Sequence, residues 1–138
     1  MPALIFLCVA NSARSQMAEG LGRAQAPAGW QVYSAGSRPG RLHPLAVETM
    51  NEVGIDLSHH YSKGLDAVPL AEADVVITLC AEEDCPVAYT GARRLNWAIP
   101  DPAAPRGSED EQREAFRTVR DTIKQRLQDF WREHEEPA

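Results

Sequence analysis

The chain has 138 residues, of which 43% are hydrophobic and 25% charged, and its formal net charge is -6. This length and hydrophobic content suffice for one domain with its own core, so we predict a single domain over residues 1–138. The negative charge argues against binding to nucleic acid or to an acidic membrane surface, and a chain with neither a membrane-length apolar run nor a signal peptide is expected to be cytoplasmic.

Strand and helix patterns alternate along the chain. Residues at helical spacing predict one helix that contains Met17 and Leu21, and another that begins near Pro44 and ends at Gly54. Short apolar runs predict buried strands at ALIFL (3–7), WQVYSAG (30–36), ADVVITLC (73–80) and RRLNWAI (93–99). The alternation predicts an α/β fold, with a four-stranded parallel sheet flanked by helices on both faces.

The last helix has the clearest pattern. Ser108 and Glu111 form a capping box, in which each side chain binds the backbone N–H of the other residue. The apolar residues that follow recur every three or four positions, at Phe116, Val119, Ile123, Leu127 and Phe130. This stripe predicts a helix with one face packed against the core.

The connection between the first strand and the first helix contains the main candidate site. Cys8 ends the strand, and Arg14 follows it at C-x5-R spacing. Such a loop can turn its backbone N–H groups inward, and the helix adds unpaired N–H groups and the positive end of its dipole. Arg14 can then hold two oxygens of a tetrahedral anion. The predicted oxyanion-binding residues are Val9, Ala10, Asn11, Ser12, Ala13, Arg14 and Ser15.

The thiol of Cys8 lies in the same positive field. That field favours the thiolate and makes Cys8 a candidate nucleophile. Ser15 is placed either to donate a hydrogen bond to this thiolate or to cap the helix. Because the loop has no glycine, Asn11 is the residue expected in a left-handed backbone conformation.

Further reactive groups follow the third and fourth strands. Ligands of parallel sheets bind beyond the carboxyl ends of the strands, so Cys80, Cys85 and Asp101 are expected at the same edge as Cys8. Asp101 is a candidate general acid, or else a turn residue before a proline. Three cysteines, with Cys8 far along the chain from the Cys80/Cys85 pair, do not resemble a disulfide framework, so each is a free thiol by default. The simplest interpretation of each is a small buried hydrophobe.

The segment C-x2-N-S-x-R-S-Q-M-A-E-G, at 8–20, resembles the thioredoxin-coupled arsenate reductases of the low-molecular-weight tyrosine phosphatase superfamily. The similarity covers nearly the whole chain. It implies a phosphate-binding loop after the first strand, with Cys8 attacking arsenate and Asp101 donating a proton. It further implies that Cys80 attacks the sulfur of Cys8 to expel arsenite. Cys85 would then open that bridge and leave a Cys80–Cys85 disulfide for thioredoxin or another thiol reductant.

The resemblance also implies a monomer with arsenate as substrate, phosphate and sulfate as competing oxyanions, weak phosphatase side activity and no cofactor. One alternative is a phosphatase of phosphotyrosine or aryl phosphates that uses only Cys8, Arg14 and Asp101. Another is a non-catalytic oxyanion-binding module, which the pairing of Cys8 with Asp101 disfavours.

The sequence departs from the family in two places. The interval between Cys80 and Cys85 is shorter than is usual there, and the three acidic residues inside it disfavour thiolates. Ala13 stands where the phosphatases carry a second loop cysteine, which removes that redox partner for Cys8.

Metal sites receive little support from the sequence. The histidines show no spacing that would complete a zinc site with CAEEDC, so no metal is expected there. Some members of the resembled family bind potassium near a loop asparagine and a serine; Asn11 and Ser34 match in type, and this question stays open.

Overall fold

The computed structural model describes residues 2–80, 92–103 and 107–135, with only the backbone at 134 and 135. The strands are β1 (Ala3–Cys8), β2 (Gln31–Gly36), β3 (Val75–Cys80) and β4 (Arg93–Ile99). The α-helices are α1 (Arg14–Gln25), α2 (Pro44–Asn51) and α3 (Glu109–Glu135), and two single-turn 3-10 helices span Leu65–Ala67 and Leu70–Glu72.

The four strands form one parallel sheet in the order β2-β1-β3-β4, which confirms the predicted fold class. The register pairs Leu7 with Thr78 on the neighbouring strand, and Cys80 with Ile99. The ends of β1, β3 and β4 therefore lie along one edge of the sheet. The residues that follow these strands are brought together there, as the topology requires.

The two faces of the sheet are covered unequally. Alternate residues of β1 point to opposite faces, so Leu4 and Phe6 join the core that contains residues of all three α-helices. Ile5 and Leu7 join a smaller cluster with Val76, packed by residues of the 3-10 segments. The prediction of helices on both faces holds in this form: α-helices cover one face and 3-10 turns the other.

Helix α3 follows its predicted pattern. The Glu111 N–H donates to Ser108 Oγ at 3.1 Å and the Ser108 N–H to Glu111 Oε1 at 3.3 Å, which confirms the capping box. All five residues of the predicted apolar stripe are buried. Neither α3 nor any other described helix is long and apolar enough to cross a membrane.

Candidate active site

The loop between β1 and α1 is held from outside through its carbonyl groups. Each carbonyl from residue 8 to residue 13 accepts a hydrogen bond. The pairs are Ser37 N to Cys8 O (3.3 Å), Arg38 N to Val9 O (2.8 Å), Gly40 N to Ala10 O (3.2 Å), Gln16 Nε2 to Asn11 O (3.2 Å), His43 N to Ser12 O (3.0 Å) and Met17 N to Ala13 O (2.9 Å). The Ser62 hydroxyl also donates to Ala10 O at 2.7 Å.

These carbonyl contacts determine where the N–H groups of the loop point. In a trans peptide the C=O of one residue and the N–H of the next point in opposite directions. Carbonyls held outward at 8–13 therefore turn the N–H groups of 9–14 toward the interior of the loop. The N–H groups of Val9, Ala10, Ser12 and Ala13 donate to no other described residue. A ring of unpaired donors of this kind can hold a tetrahedral oxyanion.

Asn11 lies at the centre of the loop and is fully buried. Its φ of 49° is left-handed, as predicted. Its Nδ2 donates to Ser15 Oγ at 2.7 Å and to Ser34 Oγ at 3.0 Å. Its Oδ1 accepts from Gln16 Nε2 at 2.9 Å and from the N–H of Lys63 at 2.8 Å. The side chain thus joins the loop to α1, β2 and the segment before the first 3-10 helix.

The thiol of Cys8 is buried and is a free thiol. Its Sγ lies 2.9 Å from Ser15 Oγ and accepts the N–H of Asn11 at 3.2 Å. Because Ser15 Oγ already accepts from Asn11, its own hydrogen is available for the sulfur. The Asn11 N–H thus donates to the sulfur, and the Ser15 hydroxyl lies close enough to donate to it as well. Of the two roles predicted for Ser15, the structure supports this one, since Ala13 is the N-cap of α1 and no side chain caps it.

Arg14 is the first residue of α1 and is buried. One of its terminal nitrogens donates to the carbonyl of Ile99 at 2.8 Å, which joins the loop to the end of β4. At this end β4 is irregular: Ala98 has a φ of 39°, and the pairing with β3 shifts between Thr78 and Cys80. The Ile99 carbonyl that orients Arg14 is therefore presented by a distorted strand end.

Asp101 lies two residues beyond β4 and is partly exposed. Its Oδ1 accepts the N–H of Ala103 at 2.9 Å, so the turn interpretation is correct. This contact uses one carboxylate oxygen and leaves the candidate acid role open. Its negative charge also acts on His43, which caps α2 by accepting the N–H of Leu45 at Nδ1. Burial lowers the pKa of His43, and Asp101 offsets this only in part.

Cys80 is the last residue of β3 and is buried, on the strand adjacent to the one that Cys8 ends. Cys80 is disulfide-bonded, whereas Cys8 is free. The structure thus brings Cys8, Cys80 and the end of β4, two residues before Asp101, to one edge of the sheet. Cys85 lies outside the described residues.

A buried carboxylate behind the loop was missed by sequence reasoning. Glu19, on α1, accepts from Ser34 Oγ at 2.8 Å and lies within 3.5 Å of His60 Nδ1, Lys63 Nζ and a terminal nitrogen of Arg23. Burial lowers the pKa of His60, and the attraction of Glu19 opposes this shift only in part. Glu19 belongs to the segment 8–20 that carries the family resemblance, which was the available signal.

The residues considered for potassium are hydrogen-bonded to each other. Asn11 donates to Ser34, and Ser34 in turn donates to Glu19. Over residues 2–80, 92–103 and 107–135, no group of three or more histidine, cysteine, aspartate or glutamate residues could hold a metal ion.

Gly36, the last residue of β2, lies against the backbone of the loop. A Cβ at this position would lie 2.5 Å from the carbonyl oxygen of Val9 and 2.7 Å from the backbone nitrogen of Asn11. The end of β2 can therefore approach the loop only because residue 36 has no side chain.

The fold and loop define a phosphatase-type α/β domain, and comparison with known families agrees. The model of the low molecular weight phosphotyrosine protein phosphatase family matches residues 3–136. The chain therefore belongs to this family, which confirms the resemblance seen in the sequence.

Particular relatives within the family are arsenate reductases. The arsenate reductase of Bacillus subtilis strain 168 is 44% identical over 129 residues, covering 92% of this chain and 93% of that protein. A solved arsenate reductase in the oxidized state matches with a TM-score of 0.81 at 32% identity, covering 96% of this chain and 98% of that one. A thioredoxin-dependent arsenate reductase from Corynebacterium glutamicum matches with a TM-score of 0.74 at 29% identity, covering 96% of this chain and 61% of that one.

Proposed function

We propose that this protein is an arsenate reductase that uses a cysteine relay. The observation that carries the proposal is the position of Cys80, at the end of the strand next to the one that ends in Cys8. A phosphatase needs no such second sulfur, because water resolves its phosphocysteine. The arsenate reductases among its relatives support the same reaction.

In the first step, the N–H groups of 9–14 and the guanidinium of Arg14 bind arsenate. The Cys8 thiolate attacks the arsenic and forms an S–As bond, while Asp101 protonates the departing oxygen, which leaves as water. The Asn11 N–H donates to Sγ at 3.2 Å, and the Ser15 hydroxyl, 2.9 Å from Sγ, would donate to a Cys8 thiolate before the attack.

In the second step, the Cys80 thiolate attacks the sulfur of Cys8. A Cys8–Cys80 disulfide forms and the electron pair of the S–As bond passes to arsenic, which leaves as arsenite. Cys85 then attacks the sulfur of Cys80, releases the Cys8 thiolate and leaves a Cys80–Cys85 disulfide. A disulfide on Cys80 with a free Cys8, as in this structure, is the arrangement that this last step would produce.

A thiol reductant must return two electrons to the final disulfide. Thioredoxin is the reductant we propose, with support from the thioredoxin-dependent relative. We further propose that the protein acts as a cytoplasmic monomer and that phosphate and sulfate compete with arsenate for the loop.

The decisive assay supplies arsenate, thioredoxin, thioredoxin reductase and NADPH, and follows the oxidation of the nicotinamide. Wild-type protein is expected to turn over, and Cys80→Ser is expected to lose that turnover. Unchanged turnover in Cys80→Ser would show that the relay is wrong. A mixed disulfide between Cys8 and Cys80 that accumulates only in Cys85→Ser, observed by mass spectrometry, would support the proposed role of Cys85.

Hydrolysis of a nitrophenyl phosphate separates the reductase from the phosphatase alternative. Both functions use Cys8 as nucleophile, so Cys8→Ser is expected to lose hydrolysis, whereas Cys80→Ser is expected to retain it. A fast hydrolase that fails to reduce arsenate would instead favour the phosphatase.

For Asp101→Asn we expect a fall of about 100-fold in the rate of the first chemical step with phosphate binding retained. An unchanged single-turnover rate would remove Asp101 from the acid role.

A further inference from the structure

The segment of residues 37–43, which we call the rim segment, lies along the outside of the loop. Three of its backbone N–H groups donate to loop carbonyls. The pairs are Arg38 to Val9, Gly40 to Ala10 and His43 to Ser12. These contacts fix its position relative to the oxyanion site. Ser12 of the loop and residues 41–44 together line a cavity of about 550 Å³. The side chains of Arg41, Leu42 and His43 therefore share a cavity with Ser12 of the loop.

Arg41 is the exposed cation in that lining. Its side chain makes no hydrogen bond or ion pair with any residue in the described part of the chain. Other arginines are occupied: Arg113 and Arg117 pair with glutamates of the α2 region, and Arg14 binds the Ile99 carbonyl. Among the described residues Arg41 thus has no ion-pair partner, and it shares a cavity with Ser12 of the loop.

The charge of Arg41 differs from that of its surroundings. The whole chain has a formal charge of -6, which repels an anionic substrate at long range. The neighbouring His43 adds little positive charge near neutral pH, because burial lowers its pKa. Asp101, whose charge acts on His43, is acidic. Arg41 therefore supplies positive charge in the cavity that Ser12 of the loop also lines.

We propose that Arg41 is a binding residue whose charge attracts the oxyanion from solvent toward the loop. It takes no part in the bond-making steps. The inference depends on the proposed function only for the identity of the substrate, because any tetrahedral dianion, including inorganic phosphate, would feel the same charge. Loss of the Arg41 charge should therefore raise the KM for arsenate and weaken phosphate binding without changing kcat.

The test compares Arg41→Gln with a control of equal charge change, Arg132→Gln. Arg132 is exposed near the end of α3, where it pairs with Asp129. Inorganic phosphate binding is measured by titration calorimetry, and arsenate kinetics with the thioredoxin system. At low salt we expect Arg41→Gln to weaken phosphate binding and lower kcat/KM by about threefold to tenfold. Arg132→Gln should change neither, and Arg41→Lys should keep most of the wild-type affinity.

The salt dependence of phosphate affinity provides a second measurement, because a purely structural role of Arg41 would not depend on salt in this way. The difference between Arg41→Gln and wild type should be largest near ~0.01 M salt and vanish near ~1 M, where charges are screened within a few ångströms. Equal phosphate affinity of Arg41→Gln and wild type at low salt would overturn the proposal. So would a change in KM for thioredoxin alone, which would assign Arg41 to reductant binding. If wild type binds phosphate but reduces no arsenate, the proposed function fails while the phosphate titrations still test Arg41.

Discussion

At Gly36 the end of β2 touches the backbone of the loop that follows β1. A methyl group there would overlap the backbone of Val9 and Asn11, and backbone atoms cannot move aside as a flexible side chain can. We expect Gly36→Ala to displace the loop, to destabilise the fold by about 1–3 kcal/mol and to lower kcat/KM by about 100-fold. The measurements are denaturant unfolding and arsenate turnover.

Gly40→Ala is the matched control for this substitution. Gly40 contacts the loop through its N–H, which donates to Ala10 O, but a Cβ at this position would meet nothing within 4 Å. Stability and turnover of Gly40→Ala should remain close to those of wild type. Wild-type turnover in Gly36→Ala would contradict the view that the loop depends on this close approach.

Individual site residues differed in how well the sequence predicted them. The left-handed Asn11 could be predicted because its cause is local: a tight loop without glycine needs a residue that tolerates positive φ. Ser62 and Lys63 could not, because they reach the loop from an irregular segment about fifty residues away with no periodic pattern. Glu19 looks like a polar helix residue, and its burial depends on partners brought together only by the fold.

Among the elements, β4 combines a regular strand with a strained end. Ala98 is exposed, and its φ of 39° is costly for a residue with a Cβ. The Asn96 side chain accepts the Ala98 N–H at 2.9 Å and supports this conformation. We expect Ala98→Gly to raise the free energy of unfolding by about 0.5–1 kcal/mol, measured by urea denaturation, because the strain relieved exceeds the entropy lost.

Gly54→Ala is the reciprocal control for β4. Gly54 has a φ of 79° and a Cβ there would meet no neighbour, so only backbone conformation is changed. The free energy of unfolding of the Gly54→Ala variant should be lower than that of wild type by about 1 kcal/mol. If Ala98→Gly instead destabilises the protein by a similar amount, the strain at the end of β4 is not real.

The elements themselves could be predicted from local patterns, whereas their layering could not. The apolar runs of β1 and β3 and the stripe of α3 have periods that indicate strand and helix directly. Which face of a sheet each helix covers depends on the connections between elements. The 3-10 turns that cover the second face contain Leu65 and Leu70 but have no helical period, so the sequence did not reveal this layer.

For the whole molecule, two histidines make stability depend on pH. Burial lowers the pKa of His43 and His60 below the ordinary value of 6.5. Below pH 6.5 the unfolded chain therefore binds more protons than the folded one, so stability is complete above this pH and falls as the pH drops through the lowered values. Urea unfolding at about pH 7.5 and about pH 5.5 should show the loss.

The double variant His43→Asn/His60→Gln tests the origin of this pH dependence. The asparagine introduced at position 43 would keep an acceptor for the N-terminus of α2, and both replacements are uncharged at either pH. The variant should lose much less stability between the two pH values than wild type does. Glu52, whose pKa is lowered to about 2 by hydrogen bonds from Arg117 and Arg120, responds only in more acidic solution. An undiminished pH dependence in the double variant would assign the effect to other groups.

The six consecutive carbonyls held from outside the loop also affect the thermodynamics of ligand binding. An oxyanion has few atoms and cannot by itself compensate the conformational entropy lost when a seven-residue loop becomes ordered, which is about 1–2 kcal/mol per residue. Here neighbouring segments order the loop through hydrogen bonds made when the chain folds. Anion binding then requires mainly the exchange of water for N–H donors already in position, so hydrogen exchange at residues outside the loop should change little when phosphate binds.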